Sequence, residues 1–197
     1  MEPDDIDRAA ATIREGGLVV YPTETVYGLG ADALDPDAVE RVFSIKGRDR
    51  SKPVSLAVPR FEAALEAGYV SATERERRFA DDFLPGPVTL LCERRDVVPD
   101  ALTAGRDRVG IRVPDCEPAL ALLERAGRPI TATSANVSGE PSARRVPEIS
   151  ESVRDAATVL DGGETPGTES TVVDLSTGTI HRRGALATDI EAWIGDR

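Results

Sequence analysis

Apolar residues recur in two different periods along this chain, and the two periods alternate from one end to the other. The runs LVVY (18–21), PVSLAV (53–58), VTLLCE (88–93), VGIRV (109–113), PITAT (129–133), TVLD (158–161), STVVDL (170–175) and TIHRR (179–183) have the length and composition of strands. Between them lie helical signals. Residues 5–15 place Ile6, Ala10 and Ile13 on one face. Asp35 followed by Pro36 opens a second helix, whose stripe Val39, Val42, Phe43 runs on to Lys46 before Gly47 stops it. Further helices are expected over 60–67, 72–83, 118–126 and 187–194, with a short one near 147–154 and a two-glycine loop over 22–33. Alternation of this kind, through both short and long connections, predicts an α/β fold built on an open, twisted mixed β-sheet with flanking helices. No repeat or low-complexity linker interrupts it, so residues 1–197 read as a single domain.

Charge narrows the functional classes. The formal net charge is −11, and of the 24 basic residues only Lys46 and Lys52 are lysines. Both fall in KGRDRSK (46–52), where four cations meet one acid, so the remainder of the chain carries −14. An acidic surface disfavours general phosphate tracking and suits solubility at high salt. It makes the one basic window a candidate anion site, although such a window alone more often marks a solvated loop. Lys46 differs from a loop lysine because it extends a buried stripe. The acidic start MEPDDID is unlike a signal peptide, and no run approaches the ~20 apolar residues of a membrane helix, so a cytoplasmic location is expected.

Several common chemistries have no motif here. GxxxxGK[ST], GxGxxG at a helix start and GxSxG are all absent. Cys92 and Cys116 form no CxxC, and His181 is the only histidine, so the sequence names no metal ligand. His181 reads as structural.

What remains is a set of positioned polar groups. In RVGIRV, a period of two sends Val109, Ile111 and Val113 to the core and Arg108, Gly110 and Arg112 to the other face. A glycine between two arginines clears space for guanidiniums to fork onto a carboxylate or phosphate, although a plain solvent face has the same pattern. The strand PITAT runs into SANVSGEPSA (134–143), whose small residues let a ligand approach the backbone and offer neutral donors at Ser134, Asn136 and Ser142. Taken singly, this loop, PTET (22–25) and GGETPGTEST (162–171) are turn-like compositions.

Taken in order they carry a resemblance. YPTETVYGLGADA (21–33), KxR at Lys46–Arg48, LPGPVTLL (84–91), VGIRVPD (109–115), TSANVSGEPS (133–142) and ESTVVDL (169–175) resemble the YrdC/TsaC family of threonylcarbamoyl-AMP synthases across nearly the whole chain. The family's paired KxR and SxN signature is met by Lys46, Arg48, Ser134 and Asn136, whereas the related YciO-like family typically lacks SxN. The resemblance implies a large concave cavity on the sheet and a nucleotidyltransferase reaction. L-threonine, bicarbonate and ATP, with Mg2+ accompanying the ATP, would give threonylcarbamoyl-AMP and pyrophosphate. A separate transferase complex would place the threonylcarbamoyl group on adenosine 37 of tRNA, with at most a weak tRNA contact here. Length is similar to that of the short, single-domain members.

By the same resemblance Lys46, Arg48, Ser134 and Asn136 are the candidate catalytic residues. Arg48, Lys52, Ser134, Ser142 and Arg182 are the candidate ATP contacts, and Thr25, Arg112 and Ser170 the candidate threonine contacts. Three positions depart from the pattern: Ala57 where several members have histidine, Arg108 where several have a hydroxyl, and Lys52 where several have asparagine. Arg183 stands beside Arg182, so either could face a nucleotide. An RNA-binding protein using the same concave surface is the alternative, and a carbamoyl-adenylate module of the hydrogenase-maturation type a third reading. The acidic charge and 4 % aromatic content weigh against the RNA reading.

Overall fold

The computed structural model describes residues 2–195. In chain order the elements are α1 (Pro3–Arg14), β1 (Leu18–Tyr21), β2 (Gly28–Gly30), α2 (Pro36–Lys46), β3 (Ser55–Ala57), α3 (Phe61–Glu66), β4 (Val70–Ser71), α4 (Glu74–Phe83), β5 (Val88–Arg94), α5 (Asp100–Thr103), β6 (Arg108–Arg112), α6 (Glu117–Ala126), β7 (Ile130–Ser134), a 3-10 turn (Val146–Glu148), α7 (Glu151–Ala156), β8 (Ala157–Val159), β9 (Thr171–Asp174), β10 (Thr179–Arg182) and α8 (Ala187–Gly195).

The strands form one sheet in the order β10-β9-β5-β6-β3-β7-β2-β1-β8, with β4 added on β5. Three parallel pairs (β1 with β8, β3 with β6, β5 with β9) are interspersed among antiparallel ones, which makes the sheet mixed as expected. Both faces of β1 are covered. Val19 and Tyr21 pack with α1 and α6, while Leu18 and Val20 pack with α2 and α7, which explains an unbroken apolar strand rather than an alternating one. A third cluster lies behind the sheet centre, where Leu56, Leu90, Ile111 and Val173 meet Phe43, Phe61 and Phe79. At the sheet's far end Trp193 of α8 stands edge-on to Phe79 of α4, ring centres 5.0 Å apart, and donates to Asp82 at 2.7 Å.

Helix boundaries follow local chemistry. Asp35 caps α2 by accepting from Asp37 N at 2.9 Å, and Gly47 ends it in the left-handed region at φ 55°. Thr73 and Glu76 close a reciprocal capping box on α4. The stretch expected as a loop over 22–33 differs, because Gly28–Gly30 pairs between β1 and β7. Both glycines lie under the ring of Tyr21: a Cβ at Gly28 would come within 2.7 Å of it. Glycine is needed in this strand because nothing larger fits beneath that ring, a tertiary reason that propensity does not register.

Candidate functional site

The central strands turn their second face toward a concave cleft of about 840 Å3. Successive strands contribute in register: Val172 and Asp174 from β9, Thr89 and Leu91 from β5, Arg108, Gly110 and Arg112 from β6, Ser55 and Ala57 from β3, Ala132 and Ser134 from β7, and Gly28 from β2. The period-two reading of RVGIRV therefore holds, with Val109 and Ile111 buried behind the sheet and the arginines in front. Gly110 leaves the room between them. A Cβ there would stand 2.3 Å from Ser55 Oγ and 2.7 Å from the Thr89 methyl. The walls come from the loops after β1, α2 and β7 and from the segment before β9. Seven cations and four carboxylates line the cleft, a local positive excess on an acidic chain.

All ten residues singled out from sequence (Thr25, Lys46, Arg48, Lys52, Arg112, Ser134, Asn136, Ser142, Ser170 and Arg182) line this one cleft. Lys46 is the most deeply placed cation, 1 % exposed. Its ammonium donates to the backbone carbonyls of Ser134 and of Asn136, the latter at 2.5 Å, and Ser138 N returns a bond to Lys46 O at 2.8 Å. The last turn of α2 and the SAN loop are thus clamped together. Two of the three ammonium protons are spent on the loop and one remains. Burial, reinforced by the charge of Arg48, lowers the Lys46 pKa to about 8, with Glu169 acting in the opposite sense.

Arg48 is half-buried and anchored through Lys52 O and Pro53 O, each at 3.0 Å, which curls the KGRDRSK loop around it. Burial and then the nearby Arg182 lower its pKa. Lys52 stands exposed at the rim. Asn136 turns its amide nitrogen into its own loop, onto Val137 O and Glu140 O, while its Oδ1 is buried without a partner.

At the other end Arg112 is buried, bonded to Val88 O at 3.3 Å and ion-paired with Glu24 from PTET. Thr25 hydrogen-bonds Thr23 at 2.7 Å. Ser170 joins Thr89 at 3.0 Å and receives Arg182 twice, on its carbonyl at 2.9 Å and its hydroxyl at 2.7 Å. Between the two ends Glu169 accepts from Ser142 at 2.7 Å and pairs with Arg182 at 3.2 Å. The neighbouring arginines go to different places. Arg182 lines the cleft, and Arg183 points to α8, where it pairs with Glu191.

Arg108 is already engaged, on Glu76 at 2.6 Å and Asp174 at 3.2 Å, both from elements distant in the chain. His181 is exposed and lines the cleft. Glu24 and Glu169, which pair with Arg112 and Arg182, are not among the residues the sequence reading names, although both stand inside its motifs. An acid beside each arginine-seeking segment was the available signal.

The arrangement suits a ligand with several negative charges at one end and a small zwitterion at the other. Its cations and hydroxyls offer positioning and charge neutralisation.

Comparison with known proteins agrees. The chain is 45 % identical over 193 residues to the threonylcarbamoyl-AMP synthase of Pyrococcus abyssi, and 38 % identical over 196 residues to that of Bacillus subtilis. These matches cover 95 % and 96 % of the chain but 56 % of each relative, so the chain spans about half the length of these two. The crystal structure of P. abyssi Sua5 complexed with L-threonine superposes with a TM-score of 0.93 at 44 % identity, covering 100 % of this chain and 59 % of that one. The family model named for Sua5, YciO and YrdC, described as telomere recombination, matches residues 11–184. With nearly nine-tenths of its length inside that match and the same sheet beneath it, the chain belongs to the Sua5/YciO/YrdC family.

Proposed function

We propose that this chain condenses L-threonine, bicarbonate and ATP into threonylcarbamoyl-AMP and pyrophosphate. The observation that carries the reading is the convergence of Arg112, Thr25 and Ser170 with Lys46, Arg48, Ser134, Ser142 and Arg182 in one cleft. Relatives named for this activity and a relative crystallised with L-threonine support it.

Arg112 is the clamp for the threonine carboxylate, with Thr25 and Ser170 alongside. The threonine amine, as free base, attacks the carbon of carbon dioxide released from bicarbonate, and loss of a proton gives the carbamate. A carbamate oxygen then attacks the α-phosphorus of ATP, the bond to the bridging oxygen breaks, and pyrophosphate leaves. Neither step needs an enzyme nucleophile. Arg48, Lys52, Arg182 and the free proton of Lys46 offset charge on the phosphates, while Ser134 and Ser142 donate neutral hydrogen bonds. Asn136 holds the SAN loop in the shape that offers Ser134.

Magnesium enters with the nucleotide. Mg2+ at nucleotide sites is held through one or two carboxylates plus phosphate oxygens. Glu169, placed between Ser142 and Arg182, is a carboxylate that fits this role. When bound, the ion supplies neutralisation of phosphate charge. The product is passed to a separate transferase complex that modifies adenosine 37 of tRNA in the cytoplasm, with only weak tRNA contact by this chain. No helix among the described residues is long and apolar enough to cross a membrane. RNA binding as the main activity is not favoured, because the cations face into a cleft and the net charge is −11.

The direct test is incubation with ATP, bicarbonate and labelled threonine, followed by chromatography. A labelled adenylate that requires all three supports the proposal; AMP or ADP formation indifferent to threonine removes it. Arg48→Ala is expected to abolish threonine-dependent pyrophosphate release while retaining the wild-type circular dichroism spectrum.

A further inference from the structure

Glu169 is an acid in the cationic part of the cleft, and in the free protein it occupies the two groups a phosphate would need. Its Oε1 takes the Ser142 hydroxyl at 2.7 Å and its Oε2 the Arg182 guanidinium at 3.2 Å. We propose that Glu169 is a selectivity residue: it stands in for the phosphate until a metal-chelated triphosphate arrives, and it turns away metal-free anions. The inference rests on the cleft taking ATP, as argued above.

Three features separate this from a structural ion pair. First, Arg182 does not depend on Glu169 for its position. Its Nε and Nη2 are held by Ser170 O and Ser170 Oγ, and it is Nη1 that reaches Glu169. Removing the carboxylate leaves the guanidinium in place with that nitrogen available. Second, the backbone at Glu169 is tied to its neighbour strand segment. Ala185 N bonds Glu169 O at 2.9 Å, and Gly184 lies so close that a Cβ would stand 2.1 Å from that oxygen. The side chain, about 41 % exposed, is therefore the part that turns. Third, a displaced carboxylate beside phosphates faces like charge and is repelled, unless the incoming group brings a cation. A divalent ion on the triphosphate supplies that cation, whereas bare ATP, triphosphate or pyrophosphate does not.

The experiment is calorimetric titration of the protein with ATP in EDTA, with Mg2+·ATP, and with inorganic triphosphate in EDTA. Wild type is expected to prefer Mg2+·ATP over metal-free ATP by roughly tenfold, and Glu169→Gln to bring the two within about twofold, binding the metal-free anions more tightly and, with its metal contact gone, Mg2+·ATP less tightly. Glu169→Ala provides a second neutral variant should the glutamine protein fold poorly, and Glu169→Asp, which keeps the charge, is expected to retain the preference. A preference that survives in the neutral variants overturns the assignment. So does one lost only through weaker Mg2+·ATP binding, with metal-free affinity unchanged. Wild-type protein that binds no triphosphate overturns the ATP reading and this assignment together. A wild-type preference that the neutral variants lose, in a protein that makes no adenylate, supports the assignment while removing the proposed reaction.

Discussion

Replacing Arg112 with alanine separates two contributions that the structure predicts are distinct. The side chain of Arg112 is 7 % exposed and that of its partner Glu24 is 15 % exposed. Glu24 already has one oxygen, Oε2, buried without a hydrogen bond. Arg112→Ala would leave the whole carboxylate unpaired, at a cost to stability of about 3 kcal/mol. Binding suffers separately, because a charge-assisted contact to the amino acid carboxylate is worth about 1.5–3 kcal/mol, which raises the threonine requirement roughly 10- to 150-fold. The ATP requirement stays near wild type. Pyrophosphate release against threonine and against ATP gives the two requirements, and urea unfolding gives the stability. The double variant Glu24→Gln/Arg112→Ala removes the stranded charge, so it should recover stability and leave the threonine defect in place. Equal rises in both requirements would refute the carboxylate-clamp role. Recovery of threonine affinity in the double variant would show that Arg112 serves only to neutralise Glu24.

Three further outcomes follow from particular contacts. Lys46 has its pKa lowered to about 8 from 10.5 by burial, so the folded state releases its proton before the unfolded state does. Relative to Lys46→Met, wild-type stability should therefore rise with pH, by about 2 kcal/mol between pH ~8 and pH ~10, and stay flat below; urea midpoints of the two proteins across that range would expose a flat difference. Gly110→Ala should cost about 1–3 kcal/mol by driving a methyl into Ser55 and Thr89, and Gly110→Ala/Ser55→Ala should recover part of it; thermal melts that do not distinguish the two variants would contradict the close approach. With a net charge of −11, the melting temperature should rise on adding molar KCl, and insensitivity to salt would argue that charge repulsion is not a stability term.

Much of the frame was legible because it rests on local rules. Asp35-Pro36 and Gly47 bound a helix by capping chemistry, and RVGIRV sorts its side chains by a period of two. The placement of Lys46 was legible as well, because a lysine that continues a buried stripe must find acceptors, and the carbonyls of Ser134 and Asn136 are those acceptors. What stayed hidden depends on distant partners. β2 is a three-residue strand whose two glycines are needed because the ring of Tyr21 lies across them. β4 is two residues paired to the end of β5, too short for any periodicity. Nothing local to Arg108 announces its partners Glu76 and Asp174, which arrive from α4 and β9. The acids Glu24 and Glu169 carry no local signal for the same reason: their arginines lie 88 and 13 positions away, and only the folded chain brings them face to face.

The clamp between α2 and the SAN loop has a bearing on how such a loop can change. Lys46 grips main-chain oxygens, and main-chain oxygens are common to every amino acid. Replacing Ser134 therefore alters what is offered to a substrate without unfastening the ribbon that carries it. Geometry and chemistry are thereby uncoupled at this edge of the cleft. New side chains can be tried there on a fixed mount, whereas a change at the lysine would loosen the mount itself.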